Sequence, residues 1–330
     1  MEKEIASPGE LMEMVNAFRI SKIILSAYEL GIFTILKDGT LTTGEMAEIM
    51  KMKRRSTDRF MNALVSIGLL KKTDGQFCNT PFSSKYLVKG KPDYLEGLSH
   101  QVHLWKTWST LTDAVKKGTT VAVEETIADR DEEWLISFIA AMHSRGLPQS
   151  KEVADLLDFS KIQSILDVGG GSGAFVFEFI QRCREAKAVV FDLPAVVPIT
   201  QKYIQQAGRE NSVKTLPGDY LVDAFGSGYD MIFVSAVIHI NSPEENKLLI
   251  RKCYEALNPQ GQLVILDHFM NDDRTKPVVG AIFALNMLVG TQHGDTYTEN
   301  EVRSWMLEAG LKEITRKESK QGTSLMIGRK

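Results

Sequence analysis

Apolar side chains recur at three- and four-residue intervals through Leu11, Met14, Val15, Phe18, Ile23, Leu25, Tyr28 and Leu30. Gly31 follows as a stop, so residues 10–36 are expected to be helical. A polar turn, Lys37-Asp38-Gly39-Thr40, leads to Thr42-Thr43-Gly44-Glu45 and a short helix carrying Met46, Ala47, Ile49 and Met50. Ser56-Thr57-Asp58 offers an N-cap for a further helix with Phe60, Leu64, Val65 and Ile67, ended by Gly68. Leu69 to Lys72, the turn Thr73-Asp74-Gly75 and Gln76-Phe77-Cys78 then read as a hairpin. Helix, short helix, helix, hairpin is a winged-helix order.

Residues 94–150 read as helical and rich in aromatics (Trp105, Trp108, Trp134, Phe138), a bridge between two parts. From residue 161 the period changes. Ser164–Val168, Ala188–Asp192, Met231–Ser235 and Gln262–Asp267 are short apolar strands separated by helical stretches, one of them Pro243–Leu257 with proline in its first turn. Such alternation predicts a parallel, doubly wound α/β sheet. A helix over Glu299–Ala309 and strands over Glu313–Arg316 and Ser324–Ile327 complete the chain. The expected division is 1–95 for the winged-helix part, 96–155 for the bridging helices and 156–330 for the doubly wound domain.

Composition narrows the function classes. The 330 residues hold 39 basic and 42 acidic side chains, a net charge of -3, which argues against a general nucleic-acid binder. Cys78, Cys183 and Cys253 are far apart and odd in number, so neither a disulfide framework nor a zinc site is expected. His100 and His103 have a metal-compatible spacing without an acidic or cysteine neighbour, and no metal is expected there. The start Met1-Glu2-Lys3-Glu4 lacks the pattern of a signal peptide, and the longest apolar run, Val278 to Val289, is too short to span a bilayer. These features predict a cytoplasmic protein without a membrane partner.

The chemistry concentrates at Asp167-Val168-Gly169-Gly170-Gly171-Ser172-Gly173, between a strand and a helix, where backbone amides can approach a ligand. The glycines alone fit a dinucleotide fingerprint equally well. Asp167 separates the readings, because a carboxylate at the strand end repels a pyrophosphate but welcomes the ammonium and sulfonium of S-adenosylmethionine. Asp192, at the end of the second strand, can accept from ribose hydroxyls with either ligand. Asp219, in Pro217-Gly218-Asp219-Tyr220, follows a further strand expected between Asp192 and Met231, placed for an adenine amino group, with Tyr220 available to stack. Gly169, Gly171, Asp167, Asp192, Asp219, Tyr220 and Ser235 form the expected cofactor site.

Leu166 to Gly173, Phe191-Asp192-Leu193-Pro194 and Gly218-Asp219 together resemble the family of caffeic-acid and acetylserotonin O-methyltransferases, over nearly the whole chain. The resemblance implies a Rossmann-like class I methyltransferase domain, S-adenosylmethionine as cofactor, and a homodimer formed through an N-terminal winged-helix dimerisation domain. It places the general base on His239, in Ile238-His239-Ile240-Asn241, where a neutral imidazole takes a proton from the acceptor hydroxyl. The family's Asp-Trp after the base is Ile240-Asn241 here. The first of two acids orienting the base falls on Asp267, shorter than the usual glutamate. The second falls on Thr296, with Asp295 one residue away as a substitute. By the same resemblance Met142, His143, Phe283 and Met287 line the acceptor pocket.

The function expected is methyl transfer to a hydroxyl of a small aromatic metabolite. The departures keep open a thiol, a carbon acid or an easily ionised phenol as acceptor. A second class of reading is a winged-helix regulator that binds the cofactor without catalysis, since Lys51, Lys53, Arg54, Arg55 and Arg59 cluster at the would-be recognition helix. A solvated basic helix start is the plainer account of that cluster.

Overall fold

The computed structural model describes residues 4–121, 131–320 and 322–330. Residues 122–130 of the expected helical bridge lie outside them. The chain divides into two compact units, Met1–Leu104 and Trp105–Lys330.

The first unit is a three-stranded sheet with helices. Strands β1 (Leu41–Thr42), β2 (Leu70–Thr73) and β3 (Gln76–Asn79) lie in the order β1-β3-β2. Asp74 and Gly75 both have positive φ, which suits the tight turn between β2 and β3. Phe33, Met46, Met61, Leu64 and Phe77 form the core. The helix expected over 10–36 is three helices, Pro8–Asn16, Phe18–Glu29 and Ile32–Ile35. The last break falls at Gly31, whose φ of 66° leaves the helical region. The first helix buries none of its residues.

The helix expected to start at Ser56 starts instead at Arg54. Ser56 and Thr57 hydroxyls donate back to the Lys53 carbonyl at 2.9 and 3.1 Å, so these capping-type residues are satisfied inside the first turn. Thr42 and Glu45 form a full capping box at the start of helix Thr43–Ile49.

The second unit carries a seven-stranded sheet: β4 (Ser164–Val168), β5 (Lys187–Asp192), β6 (Val213–Pro217), β7 (Tyr229–Ser235), β8 (Leu257–Asp267), β9 (Lys312–Glu318) and β10 (Ser324–Arg329). The order is β6-β5-β4-β7-β8-β10-β9. The first five strands are parallel, and β10 is antiparallel to both neighbours. Ile165, Met231, Phe233, Val264 and Leu325 pack one face; Leu166, Ile232, Leu263, Ile265 and Met326 pack the other. Strands covered on both faces read as unbroken apolar runs, which is why their sequence signal is strong. The chain order reverses between β4 and β7, and ligands of such sheets bind outside the carboxyl ends of the strands at that point.

Helix Glu132–Asp155 runs 24 residues with Pro148 inside it. Gly146 lets it approach helix Ala174–Arg182, since a Cβ there would sit 3.3 Å from the Ala174 Cβ.

Candidate active site

The strand ends at the reversal bring the expected acids together. Gly169, Gly171 and Gly173 all have positive φ, and the loop they form turns β4 into helix Ala174–Arg182. Asp167 lies beneath it: a Cβ on Gly170 would fall 2.5 Å from the Asp167 Oδ2. Asp167 is 1% exposed, and among the described residues neither carboxylate oxygen has a hydrogen-bond partner. Burial, with the nearby Asp192 charge, pushes its carboxyl up to about 8.

Asp192 is better supplied. The Gly171 amide donates to its Oδ2 at 2.7 Å and the Leu193 amide to its Oδ1 at 2.8 Å. Burial raises it to about 6 against the pull of those two amides. Asp219 follows β6 and accepts from the Leu221 amide, with its own amide held by Asp223. Tyr220 donates through its hydroxyl to Asn241 Oδ1 at 2.8 Å, and burial raises its phenol. Ser235 ends β7, half-buried.

The base candidate sits on a single turn, Ile238–Ile240, after β7. His239 Nδ1 lies 2.9 and 3.0 Å from the two Asp267 oxygens at the end of β8. Burial alone would raise the Asp267 carboxyl, but the His239 charge and hydrogen bond and the His268 amide hold it below the usual carboxylate range. An ionised Asp267 accepts a hydrogen bond from Nδ1–H, and when the ring is neutral this tautomer puts the lone pair on Nε2. The Asp295 amide donates to the His239 carbonyl at 3.0 Å. Gly294 is confined there, because a Cβ would fall 2.5 Å from that carbonyl oxygen.

The Asp295 side chain does not reach the base. Its Oδ2 pairs with Arg274 at 3.0 Å and its Oδ1 accepts from the Thr296 amide, while the Thr296 hydroxyl points to the Gly280 carbonyl. Neither residue therefore replaces the second acid, and among the described residues it is Asp267 that holds the imidazole. The bidentate pairing of Arg274 with Glu301 completes this surface clamp.

The pocket residues divide between two places. Phe283 meets His239 edge-on, ring centres 4.8 Å apart, and lies equally close to His268. Met287 is buried on the same helix, Val278–Gly290, and Asn286 beside it accepts from Trp108 Nε1 at 2.8 Å. His143 instead belongs to the glycine loop. Its Nδ1 is 2.8 Å from the Ser172 hydroxyl and its ring packs on Tyr203, with burial lowering its imidazole below the ordinary value. Met142 precedes it, half-buried on helix Glu132–Asp155. Ser172 and Thr200, whose hydroxyl donates to the Gly171 carbonyl, support the loop without any sequence signal beyond their neighbourhood. Among the described residues no group of three or more His, Cys, Asp or Glu could hold a metal, and no helix is long and apolar enough to cross a membrane.

This geometry coincides with two family models, an O-methyltransferase domain over residues 108–312 and an O-methyltransferase dimerisation domain over residues 12–89. The chain belongs to the O-methyltransferase family. Within it, the 3-hydroxy-5-methyl-1-naphthoate 3-O-methyltransferase of Streptomyces sahachiroi is 29% identical, over 93% of this chain and 90% of the relative. The structure of PigF with SAH, a protein of Serratia, matches at a TM-score of 0.88 with 21% identity, covering 98% of this chain and all of the other. Human N-acetylserotonin methyltransferase in complex with SAM matches at 0.82 with 24% identity, over 100% and 99%. The likeness to these structures establishes the class I fold with its N-terminal dimerisation domain.

Proposed function

We propose that this O-methyltransferase uses S-adenosylmethionine to methylate a hydroxyl of a small aromatic metabolite, with His239 as general base. The observation that carries the reading is the His239–Asp267 pair, closed off from the Asp295 side chain and facing Phe283. S-adenosylmethionine, when bound, supplies a methyl group on an electrophilic sulfonium. Its site fits the residues present. Asp167, buried and without a hydrogen-bond partner among the described residues, suits a cation, which favours its ionised form; Asp192 suits ribose hydroxyls and Asp219 an adenine amino group.

The chain's own part is then positional and proton-accepting. Asp267 fixes the imidazole so that Nε2 takes the acceptor's proton, and it stabilises the imidazolium that results. Phe283 gives the acceptor an apolar wall beside the base, with Met287 behind it, and Met142 and His143 close the glycine-loop side. With one acid in place of two, the base suits a phenol, which ionises more readily than an alcohol. The naphthoate enzyme among the relatives is named for an aromatic hydroxyl of that kind.

The same reading gives residues 1–95 to dimerisation, 96–155 to closing the pocket and 156–330 to cofactor and base. A homodimer is supported by the dimerisation domain and by the first helix, which exposes Leu11, Met12, Met14 and Val15. A cytoplasmic address completes it. The test is an activity screen with labelled S-adenosylmethionine across phenols, thiols and hydroxyindoles. Label transfer to a phenolic oxygen is expected; transfer only to sulfur or carbon would reject the hydroxyl reading.

A further inference from the structure

Where the resembled family places Asp-Trp after the base, this chain has Ile240-Asn241, and the structure builds a buried polar chain there. Tyr220 donates to Asn241 Oδ1 at 2.8 Å, Asn241 Nδ2 donates to Asn246 Oδ1 at 3.1 Å, and Asn246 Nδ2 donates to the Ile238 carbonyl at 2.8 Å. The Tyr297 hydroxyl donates to the Asn241 carbonyl. Asn241, Asn246 and Tyr297 are each at most 4% exposed.

The direction of these bonds is fixed. Each amide oxygen accepts and each amide nitrogen donates, so turning the Asn246 amide would set nitrogen against nitrogen and leave the Ile238 carbonyl facing an oxygen. A buried chain of this kind tolerates one arrangement. Its first member, Tyr220, adjoins Asp219 on the loop after β6. Its last acceptor, Ile238, immediately precedes His239. The turn around the base is consequently held at three carbonyls by two parts of the chain: Ile238 by helix Pro243–Ala256, and His239 and Asn241 by the segment carrying the Asp295 amide and the Tyr297 hydroxyl.

We propose that Asn241 and Asn246 are positioning residues that tie the placement of His239 to the state of the Asp219–Tyr220 loop. Cofactor binding at that loop then tightens the geometry of the base through hydrogen bonds that bypass the pocket itself. The proposal rests on His239 as the base, and its test separates the two. In the full-length protein with 15N-labelled histidine, saturation with S-adenosylhomocysteine should move the His239 imidazole signal. Tyr220→Phe, read at saturating S-adenosylhomocysteine, should lose at least half of that shift. Asn241→Ala should lower kcat about tenfold with the acceptor KM within twofold. His239→Ala, assayed in parallel, reports on the base alone. An unmoved His239 signal in the wild type, an undiminished shift in Tyr220→Phe, or wild-type kcat in Asn241→Ala would overturn the proposal. Should Asn241→Ala fail to fold, the Tyr220→Phe shift decides it alone.

Discussion

The first helix and the base turn break opposite rules of burial. Helix Pro8–Asn16 leaves Leu11, Met12, Met14 and Val15 between 47% and 62% exposed, whereas the turn after β7 encloses His239, Asn241, Asn246 and Asp267 at 9% exposure or less. Apolar surface left in water is costly in proportion to its area, and polar groups taken out of water are costly unless paired. At the turn the chain supplies the pairs itself. At the helix it supplies nothing. The glycine loop stands between these cases, with Asp192 supplied by two amides and Asp167, among the described residues, by no hydrogen bond. A region completed from within fits pre-organised chemistry, and a region left incomplete fits a binding surface, as proposed for a second subunit at the helix and for the cofactor's cationic end at Asp167.

The comparison is broken most severely by removing the partner that completes the turn. Asp267→Ala leaves the Nδ1 proton without an acceptor and frees the imidazole to take the other tautomer. Turnover is expected to fall about 10²- to 10³-fold, with S-adenosylhomocysteine affinity, read by calorimetry, within about threefold. The paired substitution Leu11→Glu and Val15→Glu tests the other side. It should raise the dimer dissociation constant at least ~100-fold in sedimentation, since two charges would enter an apolar contact.

Asp167 gives a pH signature. Its carboxyl is raised to about 8 in the folded protein, against about 4 in an unfolded chain. Below that window both forms hold the proton, and as pH rises through it the unfolded chain ionises first, so folding stability declines. Asp167→Asn should therefore melt above wild type at pH 8.5 without cofactor, by at least about 2–4 °C, with the gap closing toward pH 4. The same variant should bind S-adenosylmethionine about tenfold more weakly, and S-adenosylhomocysteine, which lacks the sulfonium charge, less so. The smallest effect is expected for Trp108→Phe, which removes the bond to Asn286 beside the Phe283 wall and should raise the acceptor KM about two- to fivefold with kcat unchanged.

What could be read in the chain follows from how local each feature is. The strands of the doubly wound sheet, the turn at Gly169 to Gly173 and the acids at the strand ends depend on a few adjacent residues and are legible directly. The His239–Asp267 pairing joins residues 28 apart in the chain, and only the family resemblance points to it. Asn241, Asn246 and Tyr297 look like ordinary polar residues in sequence, because their roles depend on partners brought together by folding, up to 56 residues apart. For His143 the resemblance points to the pocket, but its contact with Ser172, 29 residues away, has no signal in the sequence. Helix boundaries failed where side chains could be satisfied in more than one way, as Ser56 and Thr57 show by turning back to Lys53.

The most direct measurement is methyl transfer by His239→Ala, assayed with labelled S-adenosylmethionine on the best acceptor from the screen, together with S-adenosylhomocysteine affinity. Removing a general base from a site whose cofactor residues are intact should lower kcat by about 10²- to 10⁴-fold and leave the affinity within about threefold. Turnover equal to wild type on that acceptor would contradict the assignment of His239 as the base.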